Sequence, residues 1–403
     1  MLGFSRRRLQ ILFPSRSNAA SSLMHPHVTR LYTSKPMSGS TQDEKDGSFA
    51  VSYLVDSCGL SPELALSLYK KKRVRFASPE KPDSVVKLLR EYGFGETHVS
   101  KIVKKLPEML SLNAEKILLP KLEFFVSVGI TGTALAEALS GNPIVLRMSL
   151  ENTIRPCYAI IRTLGIPNGR IPRFIKYSPY SFNVKALGNV ARNVPFLRSL
   201  KVPESTLDLC RPHNLLAVST DAKEFDENVN KVISMGFSPS SFSFMKALYV
   251  SSVLEESKLE QRKEFYKKSG WNESDILLAF SKYPSFMVLS EEKFSSKMDF
   301  LVNKMGLQPA EVAKYPWVLL YSLEEWIIPR YSVIKVLLLK GLIRLEQFSL
   351  LGTALMCKKD YFLHRFVNKH QEQVPELLSI FHGKVGLAEL GLEFEETDGV
   401  KQI

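Results

Sequence analysis

Apolar residues recur along this chain in blocks of about 35 positions, and each block ends in a glycine followed by a large apolar residue. Successive glycines are 34–36 residues apart, except for one step of 71 residues that spans two periods. Lys201 and Val202 occupy the position that this long step skips. The glycines are Gly59, Gly93, Gly129, Gly165, Gly236, Gly270, Gly306 and Gly341. One unit has therefore been repeated, which predicts a repeat protein.

Prolines add a second fixed spacing, because a proline follows the glycine by 14 residues in four units. In two further units it comes three or four residues earlier, as if one helical turn were deleted. Proline lacks an N–H and restricts the residue before it, so each one is expected to end a helix. A short 3₁₀ turn should follow. The four regular prolines are Pro107, Pro143, Pro179 and Pro284, and the two early ones are Pro212 and Pro316.

Between these markers the apolar residues follow the spacing of amphipathic helices, as in the segment Ile171–Ile175. Helix starts are marked by a hydroxyl residue before proline, at Ser61–Pro62 and Ser238–Pro239. Asn272–Asp275 has the pattern of a capping box. Each glycine is expected to end the second helix of its unit in the left-handed conformation.

Two short helices cannot bury their apolar faces alone, whereas stacked units can. The sequence therefore predicts an all-α fold, a superhelical α-solenoid of two-helix units with a 3₁₀ turn, over residues 49–385. We interpret residues 36–48 as a polar linker and residues 386–403 as an acidic C-terminal tail. The last unit, Met356–Phe381, departs from the pattern, as expected of a capping repeat.

The first 42 residues contain six cations and no acid, within a chain whose formal net charge is +13. Segments rich in Arg, Ser and Leu and without acids are typical of organelle transit peptides. Arg30–Ser34 also resembles a mitochondrial cleavage site. We expect residues 1–35 to direct import into the mitochondrion, with the chloroplast as the alternative; a disordered basic tail is the other interpretation. No segment has the roughly 18 uninterrupted apolar residues of a membrane span, so no membrane partner is expected.

The sequence contains no pattern that indicates catalysis or a bound cofactor. The four cysteines stand far apart without a Cys-x-x-Cys pair, so neither a zinc site nor a disulfide framework is expected. None of the seven histidines has metal-binding spacing, and no P-loop glycine motif is present. We therefore expect no enzyme activity, no metal and no cofactor.

The stretch from Asn152 to Pro203, called the acid-free span below, contains nine cations and neither Asp nor Glu. Several cations on adjacent stacked helices, without competing carboxylates, form an arrangement that binds phosphates. A solvated face of a basic protein is the alternative, although such faces usually mix both signs. The predicted nucleic-acid-binding residues are Arg155, Arg162, Arg170, Arg173, Lys176, Lys185, Arg192, Arg198 and Lys201.

A second set of cations lies one to three residues before the unit prolines. Stacked units would align these cations in a row that offers further phosphate contacts. The alternative is local, because the helix dipole alone stabilises a cation near a helix C-terminus by about 0.3–1 kcal/mol. The members of this row are Lys105, Lys176, Arg211, Lys282 and Lys314.

The repeat resembles that of the mitochondrial transcription termination factor (mTERF) family, in particular its plant organellar branch. The resemblance is carried over Phe49–Phe381 by the proline–apolar–Ser-Leu-Glu–apolar–proline unit, the Lys-Tyr-Pro helix endings and the terminal Lys-Lys-Asp-Tyr-Phe segment. It implies a helical superhelix that binds nucleic acid in a basic concave groove. It further implies regulation of organellar gene expression through double-stranded DNA, such as transcription termination. RNA binding in intron splicing or RNA maturation is the alternative.

The chain departs from the family pattern where Ala247–Val250 lacks the proline and where Lys201 replaces the glycine. Pentatricopeptide arrays share the period but do not place a proline midway through each unit, so they match less well. A functional alternative of another class is a protein-interaction scaffold, whose groove would receive a partner helix or an acidic protein. We expect a monomer whose partner is DNA or RNA.

Overall fold

The computed structural model describes residues 41–72, 74, 76, 78–177, 182–347 and 349–385, and every regular element in these ranges is helical. The predicted all-α repeat fold is confirmed. The α-helices, in chain order, are α1 (Thr41–Asp56), α2 (Pro62–Lys72), α3 (Glu80–Glu91), α4 (Glu96–Lys105), α5 (Leu119–Ser127), α6 (Gly132–Gly141), α7 (Arg155–Thr163), α8 (Ile171–Tyr177), α9 (Val184–Ser199), α10 (Glu204–Leu207), α11 (Pro212–Val218), α12 (Ala222–Ser234), α13 (Phe244–Val253), α14 (Glu256–Lys268), α15 (Glu273–Lys282), α16 (Glu291–Asp299), α17 (Pro309–Lys314), α18 (Ile328–Leu339), α19 (Lys359–Phe362) and α20 (Leu377–Phe381).

A regular unit consists of a first helix, a 3₁₀ turn that begins at the unit proline, and a second helix. In one such unit α4 ends at Lys105, the 3₁₀ turn follows, and the second helix continues to Ser127. Pro179 lies outside the described residues. The predicted 3₁₀ turns are confirmed as Pro107–Ser111, Pro143–Arg147, Pro284–Val288 and Pro316–Leu320.

Where the proline comes early, the first helix is short. Helix α10 has 4 residues and α17 has 6, whereas α4, α6 and α15 have 10 each. After the early Pro212 the turn is replaced by a short α-helix, α11. In the unit without a proline, α13 runs through Ala247–Val250 without interruption.

Three second helices begin with one wide turn of π-helical geometry, in Ala114–Leu118, Leu150–Ile154 and Leu323–Ile327. In each case the side chain of the preceding residue, Asn or Ser, accepts a hydrogen bond from the third N–H of the turn. An inner proline follows two residues after the turn. In a regular α-helix its ring would collide with the carbonyl four residues earlier, so a locally wider turn accommodates it. The Ser-Leu-Glu motif is therefore a capped helix start.

Glycine ends the second helix in the left-handed conformation, as predicted, with φ between 66° and 92° at all eight positions. In five of these cases the next N–H bonds to the carbonyl five residues back, as Phe94 does to Leu89 at 3.0 Å. Lys201 has a φ of 59° and is the one non-glycine residue with positive φ in the described ranges. Val202 N–H still bonds to Leu197 at 3.1 Å. The substitution of lysine for glycine therefore leaves the helix ending unchanged.

Lys201→Gly should stabilise the protein, because a side chain in the left-handed conformation costs roughly 1–2 kcal/mol. Glycine also gives the unfolded chain more freedom, so we expect a net gain of about 1 kcal/mol. The matched control is Gly59→Ala, where the added Cβ meets no atom within 4 Å. It should cost about 1 kcal/mol through backbone strain alone. Urea unfolding of the full-length chain, followed by far-UV circular dichroism, measures both; a less stable Lys201→Gly protein would contradict the assignment.

Two of the three helix starts that capping patterns predicted are confirmed. Leu64 N–H donates to Ser61 Oγ at 3.3 Å, and Asn272 and Asp275 form a reciprocal capping box at 3.0 and 3.1 Å. The expectation for Ser238–Pro239 is wrong, because residues 239–243 form turns and α13 begins only at Phe244. Ser238 Oγ instead lies 2.8 Å from another serine hydroxyl.

Helix α1 spans Thr41–Asp56, so residues 41–48 of the predicted polar linker are helical. Residues 1–40 and 386–403, which include the predicted transit peptide and acidic tail, lie outside the described residues.

The chain divides into two compact units inside α12, between Asp226 and Glu227. We call residues 41–226 the N-terminal unit and residues 227–385 the C-terminal unit. In the N-terminal unit the first helices α4, α6 and α8 pack side by side, and the second helices α7 and α9 pack together. We call these sets the first-helix layer and the second-helix layer. The predicted apolar stripe of α8, in Ile171–Ile175, is buried.

Aromatic side chains fill much of the core of the C-terminal unit. Tyr266, Trp271, Phe286 and Phe294 are each at most 2% exposed. Their ring centroids lie 4.7–5.8 Å apart in tilted and edge-on arrangements. Such contacts add about 0.5–1.5 kcal/mol per pair to the burial of the rings. Trp271 directly follows a helix-ending glycine, so the repeated glycine–apolar pair places its apolar member in the core.

Candidate nucleic-acid interface

The nine predicted cations are distributed over both layers of the N-terminal unit. Three belong to the first-helix layer, at or just before α8, and the others lie on or directly after second helices. The first group is Arg170, Arg173 and Lys176; the second is Arg155 and Arg162 on α7, Lys185, Arg192 and Arg198 on α9, and Lys201 after it. The structure therefore does not bring all nine onto one layer.

Five of the nine cations form ion pairs with carboxylates from outside the acid-free span. Several of these acids lie 34–39 residues away, about one repeat along the chain, and so become spatial neighbours by stacking. The expectation that no carboxylate competes for these cations is therefore wrong for these five. The pairs are Arg155–Glu151 (3.0 Å), Arg170–Asp208 (2.7 Å), Lys176–Glu137 (2.9 Å), Arg192–Asp226 (3.5 Å) and Arg198–Glu204 (2.6 Å).

The Arg170–Asp208 pair has a structural role. Burial alone would raise the pKa of Asp208, but hydrogen bonds from Arg170 and from Cys210 N–H outweigh it and hold that pKa below its usual value. The same bond raises the pKa of Arg170. A second arginine, Arg211, lies 3.4 Å from the other carboxylate oxygen. Arg170 thus joins the start of α8 to the following unit.

Arg162, Arg173, Lys185 and Lys201 are exposed and form no ion pair with any residue that the structure describes. Arg162 donates a hydrogen bond to the side-chain oxygen of Asn168. The Arg173 guanidinium lies 5.8 Å from the ring centroid of the neighbouring tyrosine. Among the nine candidates, these four carry charge that no described carboxylate compensates.

The row of cations before the prolines is used mainly for contacts between units. Lys105 Nζ donates to the carbonyl of Gly141 at 2.6 Å, and Lys282 Nζ donates to the carbonyl of Lys314 at 2.9 Å. Each acceptor is at the C-terminal end of the first helix in the next unit, where carbonyls lack partners within the helix. The helix-terminus interpretation therefore accounts for these two lysines, whereas Lys176 binds Glu137 instead.

A cleft of 620 Å³ opens on the first-helix layer of the N-terminal unit. Gly141 lines it, and a Cβ at this position would lie 2.4 Å from Lys176 Cγ, so glycine is required for the close approach of α6 and α8. The Nδ1 atom of His98 accepts a backbone N–H at 3.2 Å, so the neutral ring carries its proton on Nε2. The lining residues are His98, Lys101, Lys105, Glu137, Ser140, Gly141, Asn142, Lys176 and Tyr177.

Within the described ranges, no group of three or more His, Cys, Asp and Glu residues is placed to hold a metal ion. None of the helices described is long and apolar enough to cross a membrane.

Comparison with known protein families decides the relationship suggested by the repeat. The sequence model of the mTERF family matches residues 86–246 and 243–363, more than half of the chain. The chain belongs to the mTERF family. The suspected resemblance is confirmed, and the matched mTERF region contains all nine predicted cations.

Relatives within the mTERF family are plant proteins of Arabidopsis thaliana. The chain is 26% identical over 303 residues to "Transcription termination factor MTERF15, mitochondrial", covering 75% of this chain and 58% of the relative. It is 21% identical over 288 residues to "Transcription termination factor MTEF18, mitochondrial" (64% and 50%). It is 20% identical over 232 residues to "Transcription termination factor MTERF8, chloroplastic" (57% and 39%). The matched part thus spans between about two fifths and three fifths of each relative.

Sequence reasoning missed a set of polar side chains that connect consecutive mTERF repeats. Each lies on a second helix and donates to a backbone carbonyl 22–27 residues later, at or near the end of the turn in the next unit. We call them the inter-repeat donors. They are Lys121 to Leu146 (2.6 Å), Asn193 to Val218 (3.0 Å), Arg262 to Leu289, Lys297 to Leu319 (2.6 Å) and Arg330 to Ala354 (3.2 Å).

Four of the five inter-repeat donors are at most 8% exposed, although three of these carry a charged group. Burial lowers the pKa of Lys121, Lys297 and Arg330 from their ordinary values. The position has a sequence signal: Lys121, Asn193 and Arg262 each precede the helix-ending residue of their unit by eight positions. A polar residue eight positions before the helix-ending residue would have identified these three, whereas Lys297 and Arg330 lie nine and eleven positions before their glycines.

Proposed function

We propose that this chain is an organellar protein that binds double-stranded DNA and acts in transcription termination. The observation that carries the proposal is the mTERF match, which contains the whole acid-free span. The relatives named above are transcription termination factors, two of them mitochondrial and one chloroplastic. The acid-free first 42 residues favour import into the mitochondrion, with the chloroplast as the alternative.

Binding of this kind requires cations that can reach phosphates, and no catalytic group. The four uncompensated cations are the first candidates for such contacts within the acid-free span. Arg155 and Arg192 are further candidates, because both members of each of their ion pairs are about half exposed or more. An exposed pair contributes only about 0–1 kcal/mol, so a phosphate can replace the carboxylate at little cost. Phosphate contacts position the protein, and arginines that reach base edges supply sequence preference.

The binding constant of the full-length chain for a DNA duplex should fall linearly with salt on a double logarithmic scale. If six cations contact phosphates, the slope should be near about −5, from roughly 0.9 per phosphate. Fluorescence anisotropy measures it for duplex DNA and for single-stranded RNA of the same sequence. As a control, Lys358→Ala with Lys359→Ala in the terminal cap should leave the slope unchanged.

Two outcomes of this titration would contradict the proposal. Tighter binding of RNA than of duplex DNA would favour the role in intron splicing or RNA maturation. Absence of binding to any nucleic acid at about 50 mM salt, where phosphate contacts are strong, would exclude the proposal and leave the protein-interaction scaffold. Crosslinking in isolated organelles, followed by sequencing, should recover organellar DNA at a limited number of positions.

A further inference from the structure

The cleft on the first-helix layer brings together cations from neighbouring units of the N-terminal unit. Lys101 and Lys105 come from α4, and Lys176 comes from α8, two units further along the chain. Glu137 on α6 is the one acid among the lining residues. The lining therefore carries more positive than negative charge at neutral pH.

The acid in the cleft is already neutralised. Lys176 Nζ donates to Glu137 at 2.9 Å, and this bond is the largest cause of a lowered pKa at Glu137 and of a raised pKa at Lys176. Both groups are therefore ionised and paired at neutral pH. An incoming anion would not face an uncompensated carboxylate here.

One carbonyl at the C-terminal end of α6 and one near the end of α8 accept hydrogen bonds from side chains of the lining. Lys105 donates to the carbonyl of Gly141, and Asn142 Nδ2 donates to the carbonyl of Ile175 at 3.2 Å. Unpaired carbonyls at a helix C-terminus would repel an anion. Because side chains of the lining already bond to these carbonyls, the repulsion is reduced.

Three cations in and around the cleft remain available to a ligand. Lys101 lines it, Lys104 lies three residues further along α4, and Arg173 lies beside the lining residue Tyr177. All three cations are exposed, and none forms an ion pair within the described part of the chain. They lie on both sides of α6, so a ligand that contacts them all must extend across the layer.

The separation of these cations favours a long polyanion over a small one. Packed helices lie about 8–10 Å apart, so α4 and α8, two steps apart, are separated by roughly 16–20 Å. A strand of a DNA duplex advances about 3.4 Å per phosphate. The layer therefore matches roughly five or six consecutive phosphates, whereas a single phosphate ion would reach only one end.

The uncompensated cations of the second-helix layer are spaced more widely than this. Lys185 is near the start of α9 and Lys201 follows its end, and α9 contains 16 residues. At 1.5 Å per residue the helix separates them by about 24 Å. Arg162 is on another helix, α7, and its guanidinium is already bonded to Asn168.

We propose that the nucleic-acid backbone is held by the first-helix layer of the N-terminal unit, along the cleft and through Lys101, Lys104 and Arg173, and that the second-helix layer does not contact it. This inference rests on the proposed nucleic-acid binding. It adds two residues outside the acid-free span, Lys101 and Lys104, and assigns different roles to cations within that span.

Two matched triple variants of the full-length chain test the assignment. The first-layer variant combines Lys101→Gln, Lys104→Gln and Arg173→Gln; the second-layer variant combines Arg162→Gln, Lys185→Gln and Lys201→Gln. Each removes three exposed charges, and glutamine is a good helix former at the five positions that lie in helices. The first-layer variant should flatten the salt slope for duplex DNA by up to about 3 units, from roughly 0.9 per phosphate. The second-layer variant should leave the slope of the unmodified chain unchanged.

The outcomes separate this inference from the function on which it rests. If the unmodified chain binds no nucleic acid, the proposed function fails and the inference fails with it. If it binds, but both triples flatten the slope equally, or the second-layer variant flattens it more, the cleft assignment alone is overturned. Circular dichroism checks folding. Lys101→Glu provides a single-residue version, which should weaken binding of duplex DNA at low salt relative to the unmodified chain.

An acidic protein is the competing occupant of the cleft. Polyglutamate serves as its probe in the same titration. If the first-layer variant loses its affinity for polyglutamate while its slope for duplex DNA stays unchanged, the cleft belongs to a protein partner and the inference is overturned. If its slope for duplex DNA flattens as predicted, the assignment to nucleic acid stands.

Discussion

Arg330→Ala should lower the free energy of unfolding of the C-terminal unit by about 3–5 kcal/mol. The Arg330 side chain is 1% exposed, and its Nη1 atom donates to the carbonyls of Ala354, Leu355 and Cys357 at 3.2, 3.3 and 2.7 Å. The guanidinium also lies 3.8 Å from the ring centroid of Trp326. Alanine would remove these bonds and leave a cavity between two repeats.

Urea unfolding followed by tryptophan fluorescence measures this effect, because all three tryptophans of the chain lie in the C-terminal unit. Trp326 contacts Arg330, so circular dichroism is recorded in parallel to separate unfolding from a local change in emission. If the slope of the unfolding free energy against urea concentration is the same in the variant and the original chain, both expose the same amount of surface on unfolding.

Arg330→Met is the matched control, since methionine fills much of the same space without a donor. It should cost about 1–3 kcal/mol, because buried carbonyls of the next repeat lose their partner. Burial of a charge is itself expensive, and an apolar replacement of a buried ionic group is sometimes neutral. A methionine variant as stable as the original chain would therefore show that the bonds of Arg330 only offset its desolvation.

Phe294→Ala should destabilise the same unit by about 3–5 kcal/mol. Phe294 is fully buried, and its ring centroid lies 4.7 Å from that of Tyr266 and 5.3 Å from that of Trp271. Its removal leaves a cavity at the centre of the aromatic cluster, where the tilted ring contacts are also lost. The effect is read from the same urea unfolding.

The control for Phe294 is Leu339→Ala, on a side chain that is 59% exposed. Alanine is a slightly better helix former than leucine, so stability should change by no more than about 0.5 kcal/mol. Equal losses at the two positions would mean that the aromatic cluster is not the core of this unit.

The repeat could be predicted from sequence because its boundaries are set by local backbone chemistry. Glycine is favoured where φ is positive, and proline cannot continue a helix, so both residues mark the chain directly. The capping box at Asn272 was visible for the same reason. The failure at Ser238–Pro239 shows the limit, because a hydroxyl before proline also suits a turn, and the local pattern does not distinguish the two.

The charge pairing of the candidate site could not be predicted from a sequence window. Arg170 and Lys176 pair with acids 38 and 39 residues away. Carboxylates from other parts of the chain therefore lie beside the acid-free span in the folded protein. The burial of the lysines among the inter-repeat donors could not be predicted for a related reason. A long aliphatic stem lets Lys121 pack in the interior while its ammonium reaches the carbonyl of Leu146.

The inter-repeat donors always precede their acceptors in the chain, and this order has a consequence for synthesis on the ribosome. After Lys121 has emerged from the ribosome, 25 more residues must emerge before the carbonyl of Leu146 becomes accessible to it. At about 5–20 residues per second this interval lasts roughly 1–5 s. During it the ammonium group must stay hydrated, so its helix cannot complete its burial. A repeat that carries such a donor can therefore complete its burial only after its successor has emerged, and a chain that ends at Lys340 would leave Arg330 without any of its three acceptors.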